Sequence, residues 1–317
     1  SRATINLWRE MRAWLDAEYP EAVLISEWGR PDRAIKAGFH VDFYLGFAGA
    51  GLTSLFRKAY GFGMGAAGAG GFSFFDPEGL GNIMEFVNEH NQRYQATRRA
   101  GYICMFSGNH DTQPRLALHR SFEDLKLAFA FLFTMPGVPK IYYGDEIGMV
   151  GVPGLPSKEG GYMRTEVRTP MQWSQAENAG FSTAPAASLY LPVEAALEQR
   201  TVADQENDPQ SLLNTVRALA QMRQAHPALG NNSDYRVVYA RPGRYPFAFL
   251  RQAVGETILV ALNPARLPVE VELPADALPQ DLSQAVCVWG QAGALERGPQ
   301  SWKLSLPGIS GGVYVLS

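Results

Sequence analysis

Two acidic segments stand directly after short apolar runs, where catalytic side chains are often found. Glu27 follows the apolar run Ala22–Ser26 and precedes Trp28 and Gly29. In a parallel β/α barrel, catalytic residues lie at the carboxyl ends of the strands. A carboxyl group placed there beside an indole would be partly desolvated, which suits it to general acid chemistry. The structural alternative is that Glu27 caps the following turn or pairs with Arg30.

The second segment, Asn109-His110-Asp111, follows the apolar run Tyr102–Phe106. A histidine beside an aspartate can donate to one hydroxyl group of a ligand while the carboxylate accepts from two others. The alternative is a turn that the Asn and Asp side chains stabilise through hydrogen bonds to the backbone. Because only one further predicted strand separates Glu27 from Asp111, we expect both carboxylates to face one pocket on a shared sheet edge.

The elements that must position these residues alternate between helix and strand up to about residue 231. Apolar positions at helical spacing predict helices over 4–18, 80–96 and 122–133. Four short apolar runs predict strands buried on both faces of a parallel sheet, namely Ala22–Ser26, Phe39–Leu45, Tyr102–Phe106 and Val138–Tyr143. A segment rich in Gly and Ala, 49–71, predicts a loop or insertion. Asp208-Pro209 predicts the start of a helix that ends near Ala225.

The pattern changes after Asn231, where short apolar runs alternate with Gly, Pro and Asn. That spacing predicts an all-β sandwich of about 85 residues. The runs are Tyr235–Ala240, Phe247–Ala253, Thr257–Leu262, Val269–Leu273, Ala285–Trp289, Trp302–Leu306 and Val313–Leu316. We therefore predict two domains, 1–231 and 232–317.

Charge and composition argue against several classes of partner. The 317 residues include 28 Lys and Arg against 31 Asp and Glu, and no segment concentrates basic residues. Nucleic acid and anionic membranes are therefore not expected as partners. No apolar run approaches the ~20 residues of a membrane helix and no signal peptide is recognisable, so we expect a cytoplasmic protein. Cys104 and Cys287 are expected to be separate buried thiols rather than parts of a disulfide or metal site.

The segments Ile25–Gly29 and Phe106–Arg115 resemble two signature segments of the α-amylase superfamily, the family 13 glycoside hydrolases. Pro136–Met149 resembles the last barrel strand of that family with its following loop. Three more segments resemble the branch of oligo-1,6-glucosidases, α-glucosidases and trehalose synthases, namely Arg168–Trp173, Asn178–Phe181 and Asp208–Leu213. The matches run in the family's order from about residue 4 to 262.

The resemblance implies roles for individual residues in a site for α-gluco-oligosaccharides. Glu27 matches the family's general acid/base, and Asp111 matches the carboxylate that binds sugar hydroxyls and stabilises the oxocarbenium-like transition state. His110 matches a hydroxyl donor of the same subsite, and Arg115, a candidate substrate contact, matches an arginine expected to orient the site. The neighbours of these residues, Trp28 and Asn109, are further candidate substrate contacts.

One element of the family pattern has no counterpart in the sequence. The family's nucleophile is an Asp in a G-x-R-x-D segment at the end of the fourth barrel strand, and neither this motif nor the family's D-x-x-x-N-H segment occurs. Asp16, on a predicted helix, and Asp42, within a predicted strand, are not plausible substitutes. The resemblance thus implies the C-terminal half of a (β/α)8 barrel, strands five to eight, followed by the sandwich. No cofactor is assigned, because the family's usual calcium sites draw on a segment that is also lacking.

Three functions remain open from the sequence. The leading interpretation is a retaining α-glucosidase or amylase-type hydrolase, present as a fragment that is inactive alone for want of the nucleophile. The alternatives are a non-catalytic carbohydrate-binding fragment and an isomerase or transferase of the trehalose synthase type. Half a barrel would expose strand edges, so we expect self-association or a partner that carries the N-terminal half.

Overall fold

A computed structural model describes residues 1–45, 51–57, 72–76, 78–79, 81–158, 160, 164–195, 197–291 and 293–317. The described residues form seven α-helices: α1 (Arg2–Glu18), α2 (Pro31–Ala34), α3 (Thr53–Phe56), α4 (Ile83–Thr97), α5 (Phe122–Thr134), α6 (Val202–Gln205) and α7 (Leu212–Ala225). They also form twelve strands: β1 (Ile25–Ser26), β2 (Val41–Phe43), β3 (Tyr102–Phe106), β4 (Val138–Lys140), β5 (Asp234–Arg241), β6 (Arg244–Ala253), β7 (Glu256–Asn263), β8 (Val269–Pro274), β9 (Ala285–Gly290), β10 (Ala294–Arg297), β11 (Ser301–Leu306) and β12 (Ser310–Leu316). Most of the predicted loop 49–71 lies outside the described residues.

The first four strands form a parallel sheet in chain order, β1-β2-β3-β4. Helical segments connect successive strands, as parallel pairing requires. The predicted alternation of helix and parallel strand is therefore confirmed. Its consequence for function is geometric, since the carboxyl ends of all four strands meet at one edge of the sheet.

Both outer strands of this sheet lack a second neighbour among the described residues, because β1 pairs only with β2 and β4 only with β3. The prediction that the first strand is buried on both faces is wrong, since Ile25 is 53% exposed. The preceding helix α1 likewise has no buried residue, although Leu7, Met11 and Trp14 lie on it. Nothing in the described part of the chain covers this apolar surface.

Local side-chain bonds determine where the longer helices begin. Helix α5 starts with a capping box in which Ser121 and Asp124 bond each other's backbone N–H groups. Helix α7 begins at Leu212 with Ser211 as its cap, so the predicted start at Asp208-Pro209 is wrong. Asp208 instead accepts a hydrogen bond from the backbone N–H of Gln210 and stabilises the turn before the helix.

The C-terminal strands form a five-stranded sheet, β5-β6-β7-β12-β9, and a three-stranded sheet, β10-β11-β8. All seven predicted runs are strands. Strand β10 was not predicted, because its residues are mostly exposed and form no apolar run. A core between the two sheets contains Leu250, Leu259 and Trp302.

The opposite face of the five-stranded sheet packs on the α/β part of the chain. Phe247 and Phe249 of β6 share one buried cluster with Phe131 of α5 and with Phe74. The ring centroids of Phe131 and Phe247 lie 6.3 Å apart. The two predicted domains therefore share a hydrophobic core rather than meeting through a polar interface.

Arg251 of β6 adds polar contacts to this junction and is fully buried. Its guanidinium donates to the carbonyl oxygens of Thr134, at the end of α5, and of Gly230 and Asp234. Burial lowers the pKa of Arg251 to about 9. The side chain thus satisfies carbonyl groups that would otherwise be buried without a partner.

Cys104 and Cys287 are free thiols, the first buried and the second half-buried. None of the described helices combines the length and the apolar character needed to span a bilayer.

We predict that Arg251→Met lowers the free energy of unfolding by about 3 kcal/mol, because it strands several buried carbonyl oxygens. Arg244→Met, at the exposed end of the same strand, should change it by less than about 0.5 kcal/mol. Urea denaturation of both variants measures the difference. Equal stabilities would contradict a structural role for the Arg251 contacts.

Candidate functional site

The candidate site lies at the carboxyl ends of β1 and β3, on either side of β2. Glu27 directly follows β1, and His110 and Asp111 lie on the loop that follows β3. Polar side-chain atoms of these three residues all lie within 4.8 Å of one another. The parallel sheet therefore brings together two segments that are far apart in sequence, as the strand-end positions predict.

Glu27 and Trp28 form the exposed side of the site. The Glu27 side chain is exposed and Trp28 is 46% exposed. The expected desolvation of Glu27 by the indole is thus not found among the described residues. The alternative pairing of Glu27 with Arg30 is not found either, since the Arg30 Nε atom lies 3.5 Å from Asp32 Oδ1.

A buried carboxylate behind this rim holds the backbone that follows Glu27. Asp42 of β2 is fully buried, and its Oδ1 atom accepts from Ser26 Oγ at 2.5 Å and from the Trp28 backbone N–H at 2.9 Å. Desolvation raises the pKa of Asp42, and these hydrogen bonds oppose the shift. From the sequence, Asp42 was judged only as a nucleophile, a role its place within a strand does not favour, and its contacts with Ser26 and Trp28 were not predicted. The missed signal is that an Asp inside a buried strand needs hydrogen-bond partners.

On the other side of the site, two arginines bind Asp111. The Oδ1 atom of Asp111 accepts from Arg164 Nη1 and from Arg168 Nη2, both at 2.8 Å. His110 Nε2 lies 3.6 Å from Asp111 Oδ2. Arg168 also donates through Nε to the backbone oxygen of His110 at 2.9 Å. One oxygen of Asp111 is therefore bound by two guanidinium groups, while the other faces His110.

These contacts determine the charge state of Asp111. Partial burial favours a higher pKa, but His110, Arg164 and Arg168 outweigh it and hold the pKa below its usual range. Neither Arg164 nor Arg168 was among the predicted site residues. Arg168 begins a segment that served only to identify the branch of the family, and no local pattern links Arg164 to Asp111.

Asn109 has a structural role in the loop that carries the site. Its side-chain oxygen accepts from the backbone N–H of Asp111 at 2.9 Å and from Thr112 Oγ1 at 2.5 Å. This is the turn stabilised by Asn and Asp side chains that the sequence predicts as an alternative to a binding site. The turn and the site are compatible, because the same bonds that form the turn orient His110 and Asp111.

Arg115 lies beneath the site rather than on its surface. It is 1% exposed, and its guanidinium carbon lies 4.8 Å from the ring centroids of both Tyr142 and Tyr143. Its Nη1 atom donates to the Tyr143 backbone oxygen at 2.7 Å and lies 3.4 Å from Asp145 Oδ1. The family resemblance implies direct contact between Arg115 and a substrate. This buried position does not favour such contact and suits support of the neighbouring loops instead.

Glu27, His110 and Asp111 are also the residues in the described part of the chain whose ligand atoms lie close enough to share a metal ion. The two guanidinium groups on Asp111 oppose a cation there, since each lies 2.8 Å from Oδ1 of the same carboxylate. The arrangement therefore suits a neutral ligand rich in hydroxyl groups better than a divalent cation.

We predict that Asp111→Asn lowers the free energy of unfolding at neutral pH by roughly 1 kcal/mol, because it removes charge-assisted hydrogen bonds that solvent partly screens. A carboxylate with a depressed pKa stabilises the fold above its unfolded pKa of about 3.9 and loses that contribution as pH falls through its folded pKa. The difference in the free energy of unfolding between wild type and variant should thus be constant above about pH 5. It should shrink as the pH falls below about 4. Urea denaturation across pH measures it. The exposed Asp281 provides the control Asp281→Asn, which should show no such difference.

Comparison with known proteins gives this geometry a family context. The protein-family model for the alpha-amylase catalytic domain matches residues 3–232 of the sequence. The chain is 34% identical to the trehalose synthase/amylase TreS of Mycobacterium tuberculosis (strain CDC 1551 / Oshkosh) over 199 residues, which cover 60% of this chain and 32% of that protein. It is 32% identical to the salivary alpha-glucosidase of Anopheles gambiae over 208 residues, 60% of this chain and 34% of that protein. The chain therefore spans about a third of the length of these relatives.

Solved structures share the fold. The alpha-amylase from H. orenii matches with a TM-score of 0.71 and 18% identity, over 99% of this chain and 57% of that one. The trehalulose synthase MutB from Pseudomonas mesoacidophila MX-45 matches with a TM-score of 0.73 and 20% identity, over 99% of this chain and 58% of that one. Together with the family match over 3–232, this shows that the chain belongs to the α-amylase family of glycoside hydrolases, in agreement with the branch of α-glucosidases and trehalose synthases that its sequence motifs indicate.

Proposed function

We propose that this chain supplies one side of the active site of a retaining enzyme that acts on α-glucosidic bonds of oligosaccharides. The observation that carries the proposal is the convergence of Glu27, His110 and Asp111 at the carboxyl ends of two parallel strands. Family membership supports the class of chemistry. The substrate and the activity of the whole enzyme are parts of this proposal.

Each residue has a task in this mechanism. Glu27, on the exposed rim, protonates the leaving glycosidic oxygen and then activates water. Asp111 accepts hydrogen bonds from sugar hydroxyl groups, and His110 donates to one. The exposed indole of Trp28 offers an apolar face to a sugar ring. Asn109 and Arg115 act through the loop rather than on the substrate.

The covalent step needs a carboxylate that the family places in a G-x-R-x-D segment, and this sequence has no such segment. We propose that a polypeptide bearing this segment completes the site and that the parallel sheet is half of a (β/α)8 barrel. The unpaired edges of β1 and β4 support this, since such edges pair readily with further strands. The exposed apolar surface of α1 and β1 supports it as well. A second copy of the chain is the alternative partner.

The division of the chain is part of the same proposal. Residues 1–231 would form the barrel part and residues 232–317 the β-sandwich domain. The change from a parallel to antiparallel sheets between Lys140 and Asp234 supports this division. The shared core around Phe247 implies that the two parts fold as one unit.

A second candidate is an isomerase of the trehalose synthase type. The name of the Mycobacterium tuberculosis relative favours it, as does the segment Arg168–Trp173, of which Arg168 contacts Asp111. The two activities differ in whether water or a sugar hydroxyl attacks the glucosyl group. With maltose as substrate, a hydrolase releases glucose whereas an isomerase forms trehalose.

We predict that the isolated chain binds maltotriose and that Asp111→Ala weakens binding at least about tenfold, because it removes an acceptor for sugar hydroxyl groups. Glu27→Gln should change affinity by less than about threefold, since the acid acts mainly in the transition state. Isothermal titration calorimetry measures both, with Asp281→Ala as the surface control. Binding unaffected by Asp111→Ala would place the sugar elsewhere.

We also predict no turnover of p-nitrophenyl α-glucoside by the chain alone, because the covalent step lacks its nucleophile. Addition of a polypeptide with the family's first four barrel strands and its G-x-R-x-D segment should produce turnover that Glu27→Gln abolishes. Robust turnover by the isolated chain, lost in Glu27→Gln, would refute the need for an external nucleophile. Tight binding without turnover in the reconstituted protein would favour a carbohydrate-binding function.

A further inference from the structure

Both ends of the loop that carries the site are hydrogen-bonded to one buried side chain, that of Arg57. Arg57, which is 5% exposed, donates through Nη2 to the backbone oxygen of Ser107 at 2.8 Å and through Nε to that of Pro114 at 3.1 Å. Asn109, His110 and Asp111 lie between these two carbonyl groups. The guanidinium therefore ties together the two ends of the segment that presents the candidate site residues.

The position of Arg57 is itself fixed by local structure. It directly follows helix α3, and its backbone N–H donates to the Thr53 oxygen at 2.9 Å. Close packing limits movement of the loop, since a Cβ atom on Gly108 would lie 3.3 Å from Arg57 Nη2 and 3.1 Å from Asp145 Oδ2. The guanidinium thus reaches the loop from a fixed base and fills the space beneath it.

A second set of bonds holds the start of the same loop. Ser107 Oγ donates to Asp145 Oδ2 at 2.6 Å and accepts from the Tyr142 backbone N–H at 3.0 Å. These bonds tie Ser107 to the segment that follows β4 but do not reach Pro114. Among the described residues, Arg57 is the side chain that bonds backbone oxygens at both ends of the loop.

Arginine suits this task better than lysine does. The planar guanidinium presents several N–H donors in a fixed fork, so that two carbonyl oxygens can be bound at once with a defined separation. An ammonium group at the end of a flexible stem would satisfy one carbonyl and leave the other without its partner. Each loop end released this way regains conformational freedom.

We propose that Arg57 is a positioning residue that holds His110 and Asp111 opposite Glu27, a role that rests on the proposed function of the site. Its effect is indirect, because it contacts the loop backbone and not the ligand. Loss of the two hydrogen bonds from Arg57 lets the ends of the loop move apart. The Asp111 carboxylate then no longer meets the sugar in a single position. Affinity falls for this reason although every group that touches the sugar remains.

The test uses the full chain with Arg57→Lys and Arg57→Ala. Both variants should bind maltotriose roughly tenfold more weakly in calorimetry, since misplaced polar groups lose their hydrogen bonds. Amide hydrogen exchange at Asp111 and Thr112 should accelerate while exchange in β6 and β7 stays unchanged. Methylguanidinium at millimolar concentration should restore the affinity of Arg57→Ala, which a general loss of stability would not allow.

Arg251→Lys provides a matched control, because Arg251 is as deeply buried as Arg57 and also binds backbone oxygens, but far from the loop. It should lower stability and leave maltotriose affinity within about twofold. Arg57 variants with wild-type affinity and wild-type exchange at Asp111 would overturn the proposal. If the wild-type chain fails to bind maltotriose, the proposed function fails, and hydrogen exchange alone then decides whether Arg57 orders the loop.

Discussion

Backbone carbonyl oxygens at the ends of helices and strands lose their water when a chain folds, and in this protein buried or half-buried arginines bind several of them. Arg251 donates to the Thr134 oxygen where α5 meets the five-stranded sheet. Arg223 donates to the oxygens of Phe133, Met135 and Gly137 between α5 and β4. Arg57 does the same beneath the site. An unpaired buried carbonyl costs on the order of 1–3 kcal/mol, so these junctions, and the base of the loop that carries the site, depend on the arginine contacts.

The elements that the sequence predicts well are those defined by local patterns. All four parallel strands and the helix over 122–133 follow from apolar spacing, because burial of a strand or a helix face needs apolar residues at that spacing. The start of α7 was misplaced because two good caps, Asp208 and Ser211, stand three residues apart. Which of the two residues caps the helix depends on the conformation of the preceding turn. Exposed β10 has no apolar signal at all.

The site residues likewise fall into those that local sequence patterns predict and those that they do not. Strand-end position was enough to predict that Glu27 and Asp111 lie close together, since a parallel sheet brings its carboxyl ends to one edge. Arg57, Arg164 and Asp42 were not found, because each acts on residues distant in sequence and carries no motif. Arg115 was assigned to the substrate from a motif, whereas burial between Tyr142 and Tyr143 gives it a supporting place.

Charge explains why such a site would need a further carboxylate under the proposed function. The Oδ1 atom of Asp111 is bound by the guanidinium groups of Arg164 and Arg168, which compensate part of its negative charge. An oxocarbenium-like transition state is itself positive and is stabilised by nearby negative charge. Glu27 is neutral while it carries the proton that it donates, so before that transfer it adds no negative charge. A nucleophilic carboxylate from a completing polypeptide would supply negative charge as well as the covalent bond, which links the unpaired edges of the sheet to the chemistry of the site.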